Sequence, residues 1–391
     1  MDELTELPTR RPTDRPFDPP DELAAIRDRS PLVRLTFPDG HRGWLATGHH
    51  VVRAVLADPR FSSRTELMHM PFPGTEFSGP LPPAPLGDLT GIDPPEHTRY
   101  RRLLTGKFTV RRMRLLTDRV AEIATGCLDA ITDRPFDLVA AYAQPVPALM
   151  ICELLGVPTA ERAEFQRLVT VLGDLDAAVP DRMAATNGLA ACVGSLIPAK
   201  RATPTDDLLS DLATTDLTDE ELAGIGWFLL GAGMDTTANM LGLGTFALLS
   251  HPSQLAVLRS DPSLIGDGVE ELMRYLTIAH TGARAALVDV ELGDQVIRAG
   301  ETVCLSLLAA NRDPRRFPDP DVLDLRRRAT GHLGFGHGVH QCLGQQLARI
   351  ELRVAFPLLL ARFPALRLAV APDEVPLRHA SIHGVTALPV S

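Results

Sequence analysis

Residues 335–344 of the chain read Phe335-Gly-His-Gly-Val-His-Gln-Cys342-Leu-Gly344. A lone cysteine lies here in a glycine-rich loop, and a helical pattern follows it from Gln345 to Leu360. Glycine lets the backbone approach a flat group closely and supplies amides that can point at the cysteine sulfur. The positive end of the following helix favours the thiolate form of that cysteine. The stretch therefore predicts a thiolate ligand that holds a metal centre from one side.

A zinc site is the competing interpretation, because His332, His337 and His340 lie close to Cys342 in sequence. Structural zinc sites usually combine two pairs of closely spaced ligands. The sequence has no second Cys-x-x-Cys or His-x-x-x-His pair to complete such a set. We therefore favour a metal centre held by one thiolate over a zinc site.

The loop resembles the haem-binding signature of the cytochrome P450 family, and the similarity runs from about Trp44 to Pro389. The resemblance implies a haem b whose iron is bound by the matching cysteine, Cys342. It also implies activation of O2 and insertion of one oxygen atom into an organic small molecule. The implied fold is mainly α with small β-sheets (α+β), with haem between the long central helix and the cysteine loop.

The length and composition of the chain limit the classes of protein to which it can belong. The chain has 391 residues, 45% of them hydrophobic, and a net charge of −10, which argues against nucleic acid or an anionic membrane as a partner. We expect residues 1–20, which are polar and proline-rich, to form a flexible segment, and residues 21–391 to form a single cytochrome P450 domain. Five scattered cysteines and the lack of an apolar run after Met1 favour a cytoplasmic protein.

Helical patterns dominate the chain. Thr218-Asp-Glu-Glu221 is a capping box that predicts a helix running to about Ser250, roughly 45 Å long. Asp235 and Asn239 interrupt its apolar middle, so we predict a buried central helix and not a membrane span. Short β-segments are predicted over residues 33–37, 43–47, 286–292, 303–307 and 366–370, and a long loop over 68–93.

The central helix carries the predicted catalytic pair, Asp235 and Thr236, within Ala232-Gly-Met-Asp-Thr-Thr237. A threonine hydroxyl in mid-helix can bond the carbonyl one turn back and weaken the backbone ladder. Reductive cleavage of O2 needs protons delivered under exclusion of bulk water, which an acid and an alcohol can provide. The pair also matches the family's oxygen-activating pair. A satisfied polar kink in a buried helix is the competing interpretation.

Several further residues are predicted to hold the cofactor. His97 and Arg101 share one face of a helix that starts after Pro94-Pro95, which suits a carboxylate or phosphate, although an exposed basic helix has the same pattern. The resemblance assigns them to a haem propionate. By resemblance the other cofactor-binding residues are Arg284, Phe335, Gly336, His340, Cys342 and Gly344.

The resemblance also implies a buried charge network around Glu271 and Arg274, which lie three residues apart on one helix face. Its third member comes from Leu323-Asp-Leu-Arg326-Arg327, where Arg327 fits best by spacing. The family more often has an aromatic residue where Leu323 stands, so Arg326 stays the alternative. Burying such a triad is justified only if every charge is paired.

The predicted substrate contacts are Leu229, Ala232, Thr281 and Ile382, which lie in segments that line the pocket in the resembled family. These segments are mostly apolar with few aromatic residues, which favours a bulky aliphatic substrate. The Arg-, Ala- and Leu-rich composition resembles actinobacterial proteins, whose enzymes of this type often tailor macrolide or polyketide-type secondary metabolites. The predicted reaction is C–H hydroxylation or epoxidation.

Two alternatives stay open. One is repeated oxidation of a methyl group, desaturation or ring coupling by a member of the same family. The other, from a different class, is a non-catalytic haem-binding scaffold protein, which the intact Asp235-Thr236 pair disfavours.

The chain is too short to carry its own flavin or iron–sulfur domain, so electrons are expected from NAD(P)H through a ferredoxin reductase and a ferredoxin. A local basic cluster is either a solvated helix face or a docking patch for that acidic donor. The cluster consists of Arg99, Arg101, Arg102, Lys107, Arg111, Arg112 and Arg114.

Overall fold

The structure is a computed structural model, and it describes residues 3–12, 14–72, 81–107, 110–173, 177–378 and 380–391. Helices make up most of it, as the sequence predicts. The α-helices are α1 (Asp21–Arg29), α2 (His49–Ala57), α3 (Glu96–Thr105), α4 (Val110–Asp129), α5 (Pro145–Leu155), α6 (Arg162–Gly173), α7 (Val179–Ala202), α8 (Leu208–Ala213), α9 (Asp219–Ser250), α10 (Pro252–Ser260), α11 (Ile265–Leu276), α12 (Leu307–Asn311) and α13 (Gln345–Arg362).

The β-strands are short and lie mostly in one sheet. They are β1 (Leu32–Thr36), β2 (Arg42–Ala46), β3 (Phe61–Ser62), β4 (Phe136–Asp137), β5 (Thr281–Ala286), β6 (Val290–Leu292), β7 (Gln295–Ile297), β8 (Thr302–Ser306), β9 (Leu377–Arg378), β10 (Gly384–Val385) and β11 (Pro389–Val390). A five-stranded sheet has the order β1-β2-β8-β5-β3, and β9–β10, β4–β11 and β6–β7 form two-stranded pairs. Only β2 and β8 run parallel in the large sheet. The predicted class, mainly α with small β-sheets, is confirmed.

Two of the predicted β-segments differ from the structure. The segment predicted over 286–292 is divided, because β5 ends at Ala286 and β6 begins at Val290. The strand predicted over 366–370 is wrong: only Leu368 forms an isolated bridge, to Val390. Backbone hydrogen bonds join Arg367 and Ser391 in both directions, and the Ala369 amide donates to the Pro389 carbonyl. Pro389 has no amide hydrogen to return that second pair, so no regular ladder forms.

The central helix α9 begins and ends where the sequence predicts. The Thr218 side chain caps the Glu221 amide and the Glu221 carboxylate returns to the Thr218 amide, so both halves of the capping box form. The helix packs against α5, α7 and α13 and is apolar on all sides, since other elements surround it. The predicted loop has no helix or strand over 68–72 and 81–93, while its residues 73–80 lie outside the described residues.

The described part of residues 1–20, which the sequence analysis expects to be flexible, is packed against the rest of the chain. The backbone of Leu4 bonds to Arg34 and Thr36 at the edge of the large sheet. Phe17 is buried in the core, with its ring centroid 4.8 Å from that of Phe246 in α9. These apolar residues anchor an otherwise polar, proline-rich segment. Each is a single apolar residue among polar ones, so the sequence pattern does not predict that it packs against the core.

Within the described residues, no single helix is long and apolar enough to cross a bilayer. The central helix meets that test only when joined to α10, and the two are bent by 102° at their junction.

Candidate active site

The cysteine loop is shaped by glycines in backbone conformations that other residues avoid. Gly336 and Gly338 have φ of +68° and +75°. A Cβ on Gly338 would lie 2.2 Å from the carbonyl oxygen of Leu56, so this glycine seats the loop on α2. The amide of Cys342 donates to the carbonyl of Phe335 over 2.8 Å and closes the loop. The helix α13 begins three residues after the cysteine, as predicted.

The charge state of Cys342 depends on opposing effects. Burial raises the pKa of its thiol, while hydrogen bonds from the amides of Gly344 and Gln345 and the charge of Arg101 lower it. Burial prevails, so the free group is a thiol. A cation bound at the sulfur would reverse the balance, because thiolates are the metal-binding form.

A cavity of about 420 Å³ separates α9 from the cysteine loop. It brings together most of the sequence-predicted site residues, namely His97, Arg101, Leu229, Ala232, Thr236, Phe335, Gly336, His340, Cys342 and Gly344. Its walls are otherwise almost wholly apolar. Glu351, Thr90 and Thr237 are the further polar residues that the described lining contains.

Basic side chains gather at one edge of this cavity. His97 and Arg101 extend from α3, and the His97 ring lies 4.1 Å from that of His340, centroid to centroid. Both ring nitrogens of His97 are buried without a hydrogen-bond partner. Burial and the charge of Arg101 lower the pKa of His97. A buried imidazole with two unused nitrogens needs a polar partner that the polypeptide does not supply.

Arg284 completes this basic edge from β5, although it does not line the cavity itself. Its side chain is partly buried, and this burial lowers the pKa of its guanidinium to about 10. Burial, together with the charges of Arg284 and His97, lowers the pKa of His340 to about 4. The charge of Asp93 partly offsets these effects, but its carboxylate already accepts hydrogen bonds from Ser62 and Ser63. One or two further carboxylates, supplied by a ligand, would stabilise the basic side chains at this edge.

On the opposite side of the cavity, the Thr236 hydroxyl donates to the carbonyl of Ala232 over 2.7 Å, the contact that the sequence predicts. The helix is unbroken at this point. Asp235 lies beside the cavity and not in its wall: its carboxylate accepts from Arg378 over 2.7 and 2.8 Å and from Asn239 over 3.0 Å. Sequence reasoning missed Arg378, because no local signal links residues that far apart.

The Glu271–Arg274 pair at the centre of the charge network is fully buried. Arg274 donates to both Glu271 carboxylate oxygens, over 2.7 and 2.8 Å, and neither side chain is exposed. Arg327 donates from Nε to Glu271 over 3.1 Å. Arg326 is exposed, so the structure brings Arg327 and not Arg326 to the carboxylate.

Two predicted substrate contacts do not reach the cavity. The Thr281 hydroxyl lies 2.7 Å from Nδ1 of His280 and lines a separate cavity beside the N-terminal segment. Ile382 packs against the core and forms an isolated bridge to Ala279. The cavity wall is formed instead by Ile278 and Ala279, which precede the strand. The chain leaves the cavity wall after Ala279, so His280 and Thr281 both line the second cavity, and the sequence does not show where this change occurs.

Glu351 is the polar residue of the cavity that sequence reasoning missed. It is 3% exposed, its Oε2 has no partner, and burial raises the pKa of the carboxyl to about 8. The sequence does contain an indication of this residue. Glu351 lies one turn after Leu347 on the apolar, buried face of α13, where a carboxylic acid is unusual.

Several side chains of the predicted basic cluster form ion pairs or line the cavity. Arg99 pairs with Glu221 and Arg112 with Asp211, over 2.5 and 2.6 Å. Arg101 lines the cavity. The side chains of Arg111 and Arg114 lie outside the described residues.

The chain is similar to known proteins over its whole length. A family model described as Cytochrome P450 matches residues 198–379. The chain is 48% identical to Cytochrome P450 105C1 of a Streptomyces species, over 96% of each chain. It is 41% identical to pentalenic acid synthase of Streptomyces avermitilis, over 98% of this chain and 97% of the relative. A crystal structure of CYP105P1 in complex with filipin I superposes with a TM-score of 0.90 at 44% identity, covering 100% of this chain and 99% of that one.

Proposed function

The chain belongs to the cytochrome P450 family of haem-thiolate monooxygenases, and from this premise we propose that it inserts one oxygen atom from O2 into a bulky apolar secondary metabolite of the macrolide or polyketide type. In this proposal Cys342 is the iron ligand, Asp235 and Thr236 handle protons, and the reaction is C–H hydroxylation or epoxidation. The observation that carries the proposal is the cavity that has Cys342 on one wall and Thr236 on the other.

The residues around the cavity fit a haem. Its walls are apolar, as the faces of a macrocycle require, and Cys342 lies among them. The buried, unpartnered nitrogens of His97 and the partly buried guanidinium of Arg284 suit the two propionates, which are the polar part of a haem. Glycine at 336 and 344 leaves room for close approach of the loop to a flat group.

When bound, the haem supplies the iron at which O2 is activated. The polypeptide has three tasks around it. Cys342 donates electron density through its sulfur, which the amides of Gly344 and Gln345 moderate by hydrogen bonding. His97, Arg101, Arg284 and His340 orient the cofactor through its carboxylates. The apolar walls exclude bulk water, which would otherwise deliver protons at the wrong time.

Thr236 and Asp235 are proposed to deliver protons. Thr236 lines the cavity while its hydroxyl donates to the Ala232 carbonyl, so with haem bound it would be placed to hold and relay a proton at the cavity surface. Asp235 is the neighbouring carboxylate, outside the cavity wall, that can replace that proton from solvent. The Asp235 side chain is 39% exposed, which is consistent with a link to water.

The cavity lining supports the substrate proposal. Phe228, Leu229, Ala232 and Ile278 present apolar surface near Thr236, and Phe228 is the single aromatic ring that α9 contributes to the described lining. Such a surface suits aliphatic bulk better than a flat aromatic molecule. Among relatives, pentalenic acid synthase is named for its product, and CYP105P1 has been crystallised with filipin I.

Electrons are proposed to come from NAD(P)H through a ferredoxin reductase and a ferredoxin. Membership of the family implies redox partners. The proposal also places the protein in the cytoplasm, where its five free cysteines would stay reduced.

The test is a titration of the purified haem protein with a panel of macrolides, terpenoids and fatty acids, followed by turnover with labelled O2. We expect a shift of the Soret band with at least one macrolide and a product that carries one labelled oxygen atom. The absence of any shift across the macrolides would contradict the substrate class. A product that has lost two hydrogens, or gained more than one oxygen, would favour desaturation or multi-step oxidation.

A further inference from the structure

Asp235 is held by a residue from the far end of the chain. Nη1 of Arg378, on β9, lies 2.7 Å from one carboxylate oxygen of Asp235 and 2.8 Å from the other. The Arg378 side chain is 17% exposed, and its Nε is buried without a hydrogen-bond partner. The contact with Asp235 is thus the ion pair through which this partly buried guanidinium is balanced.

The β9–β10 hairpin, which carries Arg378, also contacts α9 one turn further on, at Asn239. Asn239 donates from Nδ2 to the Asp235 carbonyl over 2.7 Å and to the Asp235 carboxylate over 3.0 Å. Gly384, which pairs with Arg378 across β9 and β10, lies so close to Asn239 that a Cβ would be 1.8 Å from its Oδ1. The β9–β10 hairpin therefore contacts positions i and i+4 of α9.

The hairpin is also joined to the wall of the substrate cavity. The amide of His383 donates to the carbonyl of Ile278 over 2.8 Å, and Ile382 forms a β-bridge to Ala279. Both Ile278 and Ala279 line the cavity. A continuous path of contacts thus runs from the cavity wall through residues 382–384 to Arg378 and Asp235.

We propose that Arg378 is a positioning residue, which fixes the Asp235 carboxylate beside Thr236 and ties it to the cavity wall. The inference rests on the proposed role of Asp235 and Thr236 in proton delivery. Arg378 touches neither the cavity nor Thr236, so it acts through Asp235.

The chemistry of the contact predicts which side chains can replace Arg378. One nitrogen, Nη1, serves both carboxylate oxygens, so the pair is a point-charge contact and not the two-nitrogen fork that only arginine can make. Lysine, whose single ammonium can approach both oxygens, should preserve the pair. Glutamine keeps the length of the side chain in part but removes the charge.

The test is a double-mutant cycle on the haem protein, with the panel compound that gives the largest Soret shift and with product formed per NAD(P)H as the readout. Arg378→Gln should lower this coupling by about 2- to 10-fold, as expected for residues in direct contact, while Arg378→Lys retains it. In an Asp235→Asn background, Arg378→Gln should change coupling by less than about twofold. An equal loss in both backgrounds would overturn the inference, because Arg378 would then act independently of Asp235. Arg367→Gln, at an exposed position shortly before the hairpin, is the control.

A second readout does not depend on turnover. Hydrogen exchange of the peptide spanning residues 377–385 should rise in Arg378→Gln and in Asp235→Asn, and the double variant should add nothing further. Unchanged exchange in both single variants would overturn the inference.

If Asp235→Asn and Thr236→Ala both leave coupling intact, the proposed proton delivery fails and the inference with it. If those two variants uncouple turnover while Arg378→Gln does not, the inference fails alone.

Discussion

The imidazole rings of His97 and His340 lie 4.1 Å apart, centroid to centroid, and neither nitrogen of His97 has a hydrogen-bond partner. Two neutral imidazoles at the edge of an apolar cavity, with Arg284 behind them, form a receptor for carboxylates. Polar groups are buried at this edge without hydrogen-bond partners, which identifies it as a site where a ligand supplies those partners.

Removal of one of these basic groups should weaken cofactor retention. We expect His97→Phe and Arg284→Gln each to speed haem transfer to an acceptor protein by about 10- to 100-fold, since a hydrogen bond to a charged group contributes ~1.5–3 kcal/mol. Arg102→Gln, at an exposed position on the same helix as His97, is the control and should leave the rate unchanged. Equal rates in all three variants would contradict the assignment.

Thr236→Ala should uncouple electron consumption from product formation. We expect at least a tenfold fall in product per NAD(P)H with a matching rise in peroxide, because proton delivery by a positioned group typically contributes 10²-fold or more. The chain offers a matched control in Thr245, whose hydroxyl donates to the carbonyl of Leu241 over 2.8 Å, the same contact further along α9. Thr245→Ala should keep its coupling, and a similar fall in both variants would indicate a structural effect of the helix.

Glu271→Ala should destabilise the protein and empty it of haem. The variant leaves Arg274 buried with no carboxylate, and breaking a buried pair in this way costs about 3–5 kcal/mol. Denaturant unfolding and the ratio of haem to protein measure the two effects. Arg326→Ala should change the unfolding free energy by less than ~0.5 kcal/mol, because Arg326 is exposed. The loss of unfolding free energy in Arg327→Ala should lie between those in Glu271→Ala and Arg326→Ala. Equal losses in Arg326→Ala and Arg327→Ala would argue against the network.

Glu351 should give stability a pH dependence of defined sign. Burial raises the pKa of this carboxyl from 4.5 to about 8, so the folded state keeps a proton that the unfolded chain releases. Its contribution is fully present below pH 4.5 and is lost as the pH rises through 8. Relative to the parent, Glu351→Gln should be more stable at pH 8 by ~1 kcal/mol or more, and equally stable at pH 4.5.

The measurement is denaturant unfolding of both haem proteins across that range. Glu291→Gln, at an exposed position, should show no such difference. A Glu351→Gln variant whose advantage over the parent grows toward acid pH would contradict the expected sign.

Short-range signals in the sequence predicted much of the fold and site. The capping box at Thr218 and Glu221 fixed where α9 begins, since both partners lie within one turn. Glu271 and Arg274, three residues apart on α11, form the ion pair that their helical spacing allows. Such features depend on residues close together in the chain, so their geometry follows from helix and turn chemistry alone.

Features that depend on distant residues were missed. Arg378 reaches Asp235 across a separation of 143 residues, and no local pattern links them. Thr281 was expected at the cavity, but it lines a second cavity together with the adjacent His280. Leu368 lies in a segment with a strand-like pattern, but it forms only an isolated bridge because the facing Pro389 has no amide hydrogen to continue the ladder.

The bond between the Cys342 sulfur and iron is the central claim, and the spectrum of the reduced protein under carbon monoxide tests it most directly. The parent protein should show the strongly red-shifted Soret band that a thiolate ligand gives. Cys342→Ser should lose that band, while Cys127→Ser, away from the cavity, should keep it. A Cys342→Ser protein that still binds haem and still shows the red-shifted band would contradict the assignment.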